Sequence, residues 1–310
     1  MNQNPLISVA LCTYNGQEFL REQLDSILSQ SYTHTEIVIV DDCSTDDTAA
    51  ILSTYLQTDN RIRLVNNSQN LGYTKNFEKA LQLCKGEYIA ISDQDDIWHP
   101  DKLKLQFEAM GAHQLIYHDS ALIDQDGQSM HFKISDKFNF YKGSSPLPFI
   151  YLNCVSGHTI LMRRSLTALA MPFDADFHYD QWLAFVATSV GTISFLTEPL
   201  VYYRQHQSNS TDLLSIRSKK KNSTVQEKLN KFNKEQKWLT LCAALNTHST
   251  ASKLIQELYR TGLKKKNTLF SFPYFYLLWT HRKELFYLMK KKEVSKFFFS
   301  LKNSWGIRIK

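Results

Sequence analysis

The chain opens with short apolar runs that alternate with stretches of helical periodicity. Residues 7–12 form one such run. In 17–30, Phe19, Leu20, Leu24, Ile27 and Leu28 recur at the spacing of one helical face. Residues 36–40, Glu-Ile-Val-Ile-Val, read as a buried strand running into Asp41 and Asp42. Ser44 or Thr45 is placed to cap a helix over 46–56, with acids in its first turn. A strand at 62–65, a helix at 74–83, Gly86 and a strand at 88–91 continue the series. This β-α-β-α-β-α-β rhythm predicts a parallel sheet with helices on both faces. Ligands of such sheets bind at the carboxyl ends of the strands. Thr13-Tyr14-Asn15, Asp41-Asp42 and the acidic stretch 93–96 all fall at such ends.

The pattern then loosens. Strands are expected at 115–117, 121–123, 158–162, 192–196 and 200–203, with Pro199 dividing the last two. Asp126-Gly127 signals a turn. Residues 132–149 are polar, aromatic and irregular, as in a loop or an acceptor-side lid. Residues 180–189 have helical spacing, and Asp180 suits their N-cap.

After Asp212 the character changes. Lys219-Lys220-Lys221 reads as a linker, and helical segments follow. Residues 269–280 are aromatic and apolar, but a membrane-spanning helix needs ~20 such residues. His281-Arg282-Lys283-Glu284 closes the run. The predicted organisation is a catalytic domain over 1–212 and a basic, mainly helical region over 213–310.

Charge sharpens that division. The net charge is +6. Residues 1–212 hold 14 Lys+Arg against 25 Asp+Glu, whereas 213–310 hold 22 against 5. The second region therefore wants an anionic partner. Its aromatics are clustered and apolar, and no nucleic-acid recognition motif is present, so an anionic membrane surface is the expected partner and nucleic acid is not. Five scattered cysteines with no CxxC pair suggest neither a disulfide framework nor a zinc site. The polar start, Met1-Asn2-Gln3-Asn4-Pro5, lacks the features of a signal peptide. The expected location is the cytoplasm, peripheral at the inner face of the cell membrane.

The densest chemistry lies in Ser92-Asp93-Gln94-Asp95-Asp96-Ile97-Trp98-His99-Pro100. Three carboxylates at the end of a buried strand repel one another unless a cation meets them. Hard oxygen ligands suit Mg²⁺ or Mn²⁺ carrying a phosphate. The alternative is a polar turn with an Asp cap before the next helix. There is no GxGxxG and no GxxxxGK[ST], so neither a dinucleotide fingerprint nor a P-loop is supported.

The sequence resembles the family 2 glycosyltransferases, nucleotide-sugar enzymes of the GT-A fold. The resemblance runs through residues 7–16 (Ile-Ser-Val-Ala-Leu-Cys-Thr-Tyr-Asn-Gly), Gln30-Ser31-Tyr32, residues 36–46, Asn70-Leu71-Gly72, residues 85–90 and Asp93-Gln94-Asp95-Asp96. It is continuous over 6–110, looser to about 210, and absent from the tail. It implies an α/β GT-A fold with a mostly parallel central sheet. Thr13 and Tyr14 would cradle the base, with the Tyr14 ring on the pyrimidine. Asp42, with Asp41 beside it, would accept the base N3–H that uracil and thymine offer. Asn70 and Lys75 lie where family members contact the sugar or diphosphate. Asp93-Gln94-Asp95 matches the DxD motif: Asp95 would bind the metal, and Asp93 the ribose or the metal through water. Asp96 would support the site or cap a helix. Gly157, in Ser156-Gly157-His158-Thr159, would let the backbone approach the donor sugar. Asp180, in His178-Tyr179-Asp180-Gln181-Trp182, matches the catalytic base. Tyr203-Arg204-Gln205-His206 matches the closing motif, with His206 as a metal ligand or diphosphate contact.

The implied reaction is an inverting sugar transfer from a nucleotide diphosphate to a glycan hydroxyl in cell-surface polysaccharide synthesis. The spelling Asp-Gln-Asp-Asp-Ile-Trp looks like the rhamnosyltransferase-type branch, which implies dTDP-L-rhamnose as donor, with a UDP-hexose next. The acceptor would be an oligosaccharide, lipid-linked if the tail holds the enzyme at a membrane. Two other readings compete. A nucleotidyltransferase also uses aspartates on an α/β sheet, but carries a Gly-rich basic loop where this chain has Thr-Tyr-Asn-Gly-Gln-Glu. A non-enzymatic membrane- or nucleic-acid-binding protein would not need Asp93, Asp95 and Asp180.

Overall fold

A computed structural model describes residues 4–206, 224–245 and 250–306. The linker expected at Lys219-Lys220-Lys221 and the boundary at 212/213 lie outside the described residues. The chain forms two compact units. One comprises the residues up to Ser144 with Cys154–Gln205, and the other Ser145–Asn153 with the described residues from His206 onward.

The first unit begins with β1 (Ile7–Thr13), α1 (Leu20–Leu28), β2 (Thr35–Asp41), α2 (Thr48–Thr58), β3 (Ile62–Asn66), α3 (Tyr73–Leu83) and β4 (Tyr88–Ser92). The strands pair in parallel in the order β3-β2-β1-β4. Every residue of β1 and β4 is buried, as continuous apolar runs require in a parallel sheet covered on both faces. α1 buries Leu20, Leu24 and Ile27, and α3 buries Phe77, Ala80 and Leu81. Each large aliphatic side chain so removed from water stabilises the fold by ~1.5–3 kcal/mol. Gly86 lets the turn into β4 lie on β1: a Cβ there would stand 2.6 Å from the Leu6 carbonyl oxygen. β1 has β2 on one side and β4 on the other, so the chain order reverses there, and the crevice at its carboxyl end is the place for a ligand.

The other half of the sheet is mixed. It adds β5 (Ile97–Trp98), α4 (Lys102–Met110), β6 (Leu115–Ile123), β7 (Ser129–Lys133), α5 (Ile134–Lys137), β8 (Leu161–Arg163), α6 (Ser165–Ala170), α7 (Tyr179–Val190) and β9 (Ile193–Arg204). β8 joins β4 antiparallel, and the order continues β8-β6-β9-β5, with β7 on β6. Several expectations are corrected here. The strands at 115–117 and 121–123 are one strand, as are those at 192–196 and 200–203. Pro199 does not end β9. It lacks an N–H, and the ladder accommodates it by register shifts around Asp119. His158 is not on a strand but in a 3-10 turn, Gly157–Thr159, before β8. Neither Ser44 nor Thr45 caps α2. Ser44 is drawn to Asp41, and Asp46 Oδ1 accepts from Thr48 N at 3.0 Å instead. Asp180 lies inside the first turn of α7, whose N-cap residue is His178. The 132–149 segment contains α5 and a 3-10 turn, Leu147–Phe149.

The second unit contains α8 (Val225–Ala244), α9 (Thr250–Lys265), α10 (Phe272–Thr280), α11 (Arg282–Leu285) and α12 (Glu293–Asn303). Thr224 and Glu227 form a reciprocal capping box at the start of α8. Residues 145–153 belong to this unit for a physical reason: Trp238 Nε1 donates to Ile150 O at 2.9 Å, and the Tyr151 and Tyr274 hydroxyls meet at 2.8 Å. Tyr274 in turn donates to Glu235 at 2.6 Å. Among the described residues no helix is long and apolar enough to cross a membrane.

Candidate active site

The site starts where β1 and β2 end. Thr13 Oγ1 donates to Asp41 Oδ1 at 2.7 Å, and Ser44 Oγ donates to the same oxygen at 2.6 Å. Asp41 therefore ties the two strand ends together. Asn15 sits in the left-handed region, with φ 48°. Its N–H donates to Ser44 Oγ at 2.9 Å and its Oδ1 accepts from Thr45 N at 2.8 Å. Gly16 N donates to Thr48 Oγ1 at 2.8 Å. The loops after β1 and β2 are thus laced into one platform, and Tyr14 stands on it half exposed.

Asp42 is buried and organises the next loop. Its Oδ1 accepts from Asn67 Nδ2 at 2.7 Å and Leu71 N at 2.8 Å, and its Oδ2 accepts from Gly72 N at 2.9 Å. Gly72 has φ 80°, a conformation glycine adopts without penalty. Asn70 Oδ1 accepts from the same Gly72 N at 2.9 Å. Lys75 points its ammonium elsewhere, to Glu78 at 3.0 Å and to the Phe173 carbonyl at 2.6 Å.

The acidic stretch after β4 is held from both sides. Gln94 hydrogen-bonds both backbone polar groups of Tyr14. Buried Arg204 donates through Nε to Asp95 O at 3.0 Å, and its own N–H donates to Asp96 Oδ1 at 3.1 Å. Its guanidinium also bonds Glu22 and Gln125 O and lies over the Phe19 ring. Asp96 is fully buried, and its Oδ2 has no hydrogen-bond partner. Burial first, then the charges of Asp95 and Asp93, push its carboxyl well above the usual carboxylate range.

His158 faces this carboxylate. Its Nδ1 lies 3.6 Å from Asp93 Oδ2 and 3.7 Å from Asp96 Oδ2. Both distances are too long for hydrogen bonds. Its Nε2 meets Ser120 Oγ at 2.9 Å, and its ring lies against Tyr203 with centroids 4.4 Å apart. With Nε2 engaged by Ser120 Oγ, the ring turns Nδ1 toward the two carboxylates, as a metal-ligating imidazole does. Ligand atoms of Asp93, Asp96 and His158 lie within 4.8 Å of one another, the one such set of three among the described residues. The orphaned Asp96 oxygen, a second carboxylate and an oriented imidazole fit a divalent cation.

Asp180 occupies the third part of the site. Burial pushes its carboxyl up to about 7, against hydrogen bonds from Gln181 N and Gly157 N and with help from the Asp93 charge. The Gln181 contact is 2.6 Å. Gly157 gives the turn its close approach to α7, since a Cβ on it would stand 2.2 Å from the Tyr179 hydroxyl.

The structure thus brings Thr13, Tyr14, Asp41, Asp42 and Asp93 to the carboxyl rim, with Gly157 and Asp180 beside Asp93. Of the implied metal residues, Asp93 is in the gathered set, Asp95 is held by its backbone carbonyl, and His206 lies two residues past β9 in the second unit. Sequence reasoning assigned no role to Gln94, His158, Tyr203 or Arg204, although each lies inside a motif that it quoted.

Comparison with known proteins fits this arrangement. Residues 8–169, just over half of the chain, match the family described as Glycosyl transferase family 2. The chain belongs to that family. Over 139 residues it is 39% identical to the Bacillus subtilis protein named "Putative teichuronic acid biosynthesis glycosyltransferase TuaG". That match takes in 44% of this chain and 53% of the relative, so the chain spans about half of the relative's length. An uncharacterized glycosyltransferase of Haemophilus influenzae is 26% identical over 249 residues, 73% of each protein. Among solved structures, S. aureus TarS 1–349 in complex with UDP-GlcNAc matches with a TM-score of 0.60 at 19% identity, covering 90% of this chain and 81% of that one. The mannosyltransferase PcManGT of Pyrobaculum calidifontis, in complex with GDP-Man and Mn²⁺, matches with a TM-score of 0.51 at 16% identity, covering 77% and 64%. At such identities these two speak for the fold, which is GT-A.

Proposed function

We propose that this chain is an inverting glycosyltransferase that moves a sugar from a pyrimidine nucleotide diphosphate to a hydroxyl of a glycan, in the synthesis of a cell-surface polysaccharide. The donor read from the motif spelling is dTDP-L-rhamnose, with a UDP-hexose next. The observation that carries this reading is the meeting of Asp180 with Asp93 and the His158 cluster at the carboxyl rim.

The chain's own groups divide the work. The Tyr14 ring stacks on the base over the Thr13–Ser44 platform. Asp42 accepts the base N3–H at Oδ2, which has a single donor, Gly72 N. Asn70 lies beside the donor, and Lys75 reaches the diphosphate by leaving Glu78. Asp93, Asp96 and His158 would hold a divalent cation, Mg²⁺ or Mn²⁺, with Asp95 as the further ligand that the family resemblance implies. When bound, that cation neutralises charge on the departing diphosphate. The acceptor oxygen forms its bond to the anomeric carbon as the bond to the diphosphate oxygen breaks, and Asp180 takes the hydroxyl proton. A single displacement inverts the anomeric centre. The acceptor is a lipid-linked oligosaccharide, and the basic second unit keeps the enzyme at the cytoplasmic face of the membrane.

The test is calorimetric titration of UDP and dTDP, with and without Mn²⁺, into the wild type and Asp95→Ala. Metal-dependent binding that the variant loses supports the proposal, and the tighter nucleotide narrows the donor. Absence of binding by either nucleotide in the presence of metal removes it.

A further inference from the structure

The second unit presents a row of rings at its surface. Phe297 of α12 meets Phe275 and Trp279 of α10 edge-on, at centroid distances of 5.6 and 5.3 Å. Phe270 extends the row to Phe272, Phe275 and Trp305 at 4.9, 6.0 and 5.7 Å. The opposite side of α10 buries Tyr274, Leu277 and Leu278. The outer side stays open: Phe272 is 75% exposed, Tyr276 66%, Phe298 60% and Trp305 52%. Phe272 and Tyr276 are four residues apart and share one face of α10. Single exposed apolar residues are ordinary, but a contiguous set of large rings marks a surface that binds something.

The charges carried by the same segment say what. Residues 264–306 carry ten lysines and arginines against two glutamates. One of the two, Glu293, is already neutralised by Arg282 at 2.8 Å and Lys296 at 3.1 Å. Arg282 also lies over the Trp279 ring at 4.0 Å. Lys290, Lys291 and Lys292 are exposed between α11 and α12. Apolar rings next to a block of lysines match the two layers of an anionic lipid surface, acyl boundary and phosphate. A second copy of this chain would bring like charges together. Single-stranded nucleic acid would want a groove of base-stacking rings lined by cations, whereas the most exposed rings, Phe272, Tyr276 and Phe298, stand on the outer side of helices.

We infer that the α10–α12 face is a membrane-docking surface, with Phe272, Tyr276, Phe298 and Trp305 entering the interface of an anionic bilayer and Lys290–Lys292 meeting its phosphates. This rests on the reading above that the acceptor is held at a membrane, and it assigns the contact to particular residues.

The experiment is co-sedimentation of the full chain with vesicles of phosphatidylcholine alone and of phosphatidylcholine mixed with phosphatidylglycerol. The expected result is at least ~tenfold stronger partition onto the anionic vesicles, lost on raising salt. Partition should fall ~tenfold or more in Phe272→Ser/Phe298→Ser and in Lys290→Gln/Lys291→Gln/Lys292→Gln. These positions are exposed, and circular dichroism with nucleotide titration checks that the variants fold. Wild type that stays in the supernatant, partition unchanged in both variants, or tighter binding to polyuridylate than to vesicles would overturn the inference. Nucleotide binding is read separately: its survival without vesicle binding sinks the docking surface alone, and its loss with vesicle binding intact sinks the transferase reading alone.

Discussion

Gln94 grips Tyr14 through both backbone polar groups: its Oε1 accepts from Tyr14 N at 2.8 Å, and its Nε2 donates to Tyr14 O at 3.0 Å. The middle residue of the DxD motif is therefore a brace between the acidic loop and the tyrosine proposed to stack on the base. It makes one object of two loops eighty positions apart in sequence.

Removing that brace has a measurable consequence. Gln94→Ala gives up two hydrogen bonds worth ~0.5–1.5 kcal/mol each, so nucleotide affinity should fall by up to ~150-fold. Because the site is at the surface, the melting temperature should move little. Titration of UDP or dTDP reads the first and thermal unfolding the second. Unchanged affinity would show that Tyr14 keeps its place without Gln94.

His158 should govern cation affinity. Replacing it with Phe keeps a ring against Tyr203 but removes Nδ1 from Asp93 and Asp96. Mn²⁺ binding, followed by electron paramagnetic resonance of the free ion, should weaken ~10–100-fold. Ser120→Ala, which releases the far side of the ring, should weaken it in the same direction by less. Equal affinity in His158→Phe would remove the imidazole from the ligand set.

Asp180 predicts two pH profiles of opposite sense. A base must be ionised, so kcat/KM should rise through a pH of about 7 and level off above it. Asp180→Asn should lose ~10²–10⁴-fold in rate and the rising limb with it. Stability runs the other way. The folded state keeps a proton that the unfolded chain releases near pH 4, so this group's contribution favours folding most below ~4 and declines as pH rises to about 7. Ligand-free Asp180→Asn should therefore be more stable than wild type at pH 8, by up to ~4 kcal/mol, and about equal to it at pH 4. Chemical denaturation at the two pH values checks this.

Gly157 and Tyr179 should behave as a coupled pair. Gly157→Ala puts a methyl group 2.2 Å from the Tyr179 hydroxyl, and overpacking of this kind costs ~1–3 kcal/mol. Deleting the hydroxyl in Tyr179→Phe leaves the ring carbon Cζ as the nearest atom, at 3.0 Å. The double variant should recover most of the lost stability, and a double-mutant cycle of unfolding free energies measures the coupling. Additive effects would mean that the turn yields instead of the ring.

Much of this protein was legible in its sequence because the information is local. Periodicity and near-continuous apolar runs determined β1, β2 and β4 and the helices between them, since parallel strands covered on both faces are rich in Val, Ile and Leu. The same runs placed Thr13, Asp41–Asp42 and the aspartates of 93–96 at strand ends. What local pattern could not decide was pairing at a distance. β9 runs through Pro199 because β6 shifts register to receive it. Ser44 leaves the helix it could cap because Asn15, from the loop after β1, comes within reach to join Asp41 on its hydroxyl. Residues 145–153 join the second unit because Trp238 and Tyr274 meet Ile150 and Tyr151. His158 gains its place at the acidic loop when the turn before β8 is set beside β4, with Ser120 of β6 behind the ring and Tyr203 of β9 across it. The buried state of Asp96 and the raised carboxyl of Asp180 have the same origin. Exclusion of water is a property of the assembled site, and no spacing of residues along the chain encodes it.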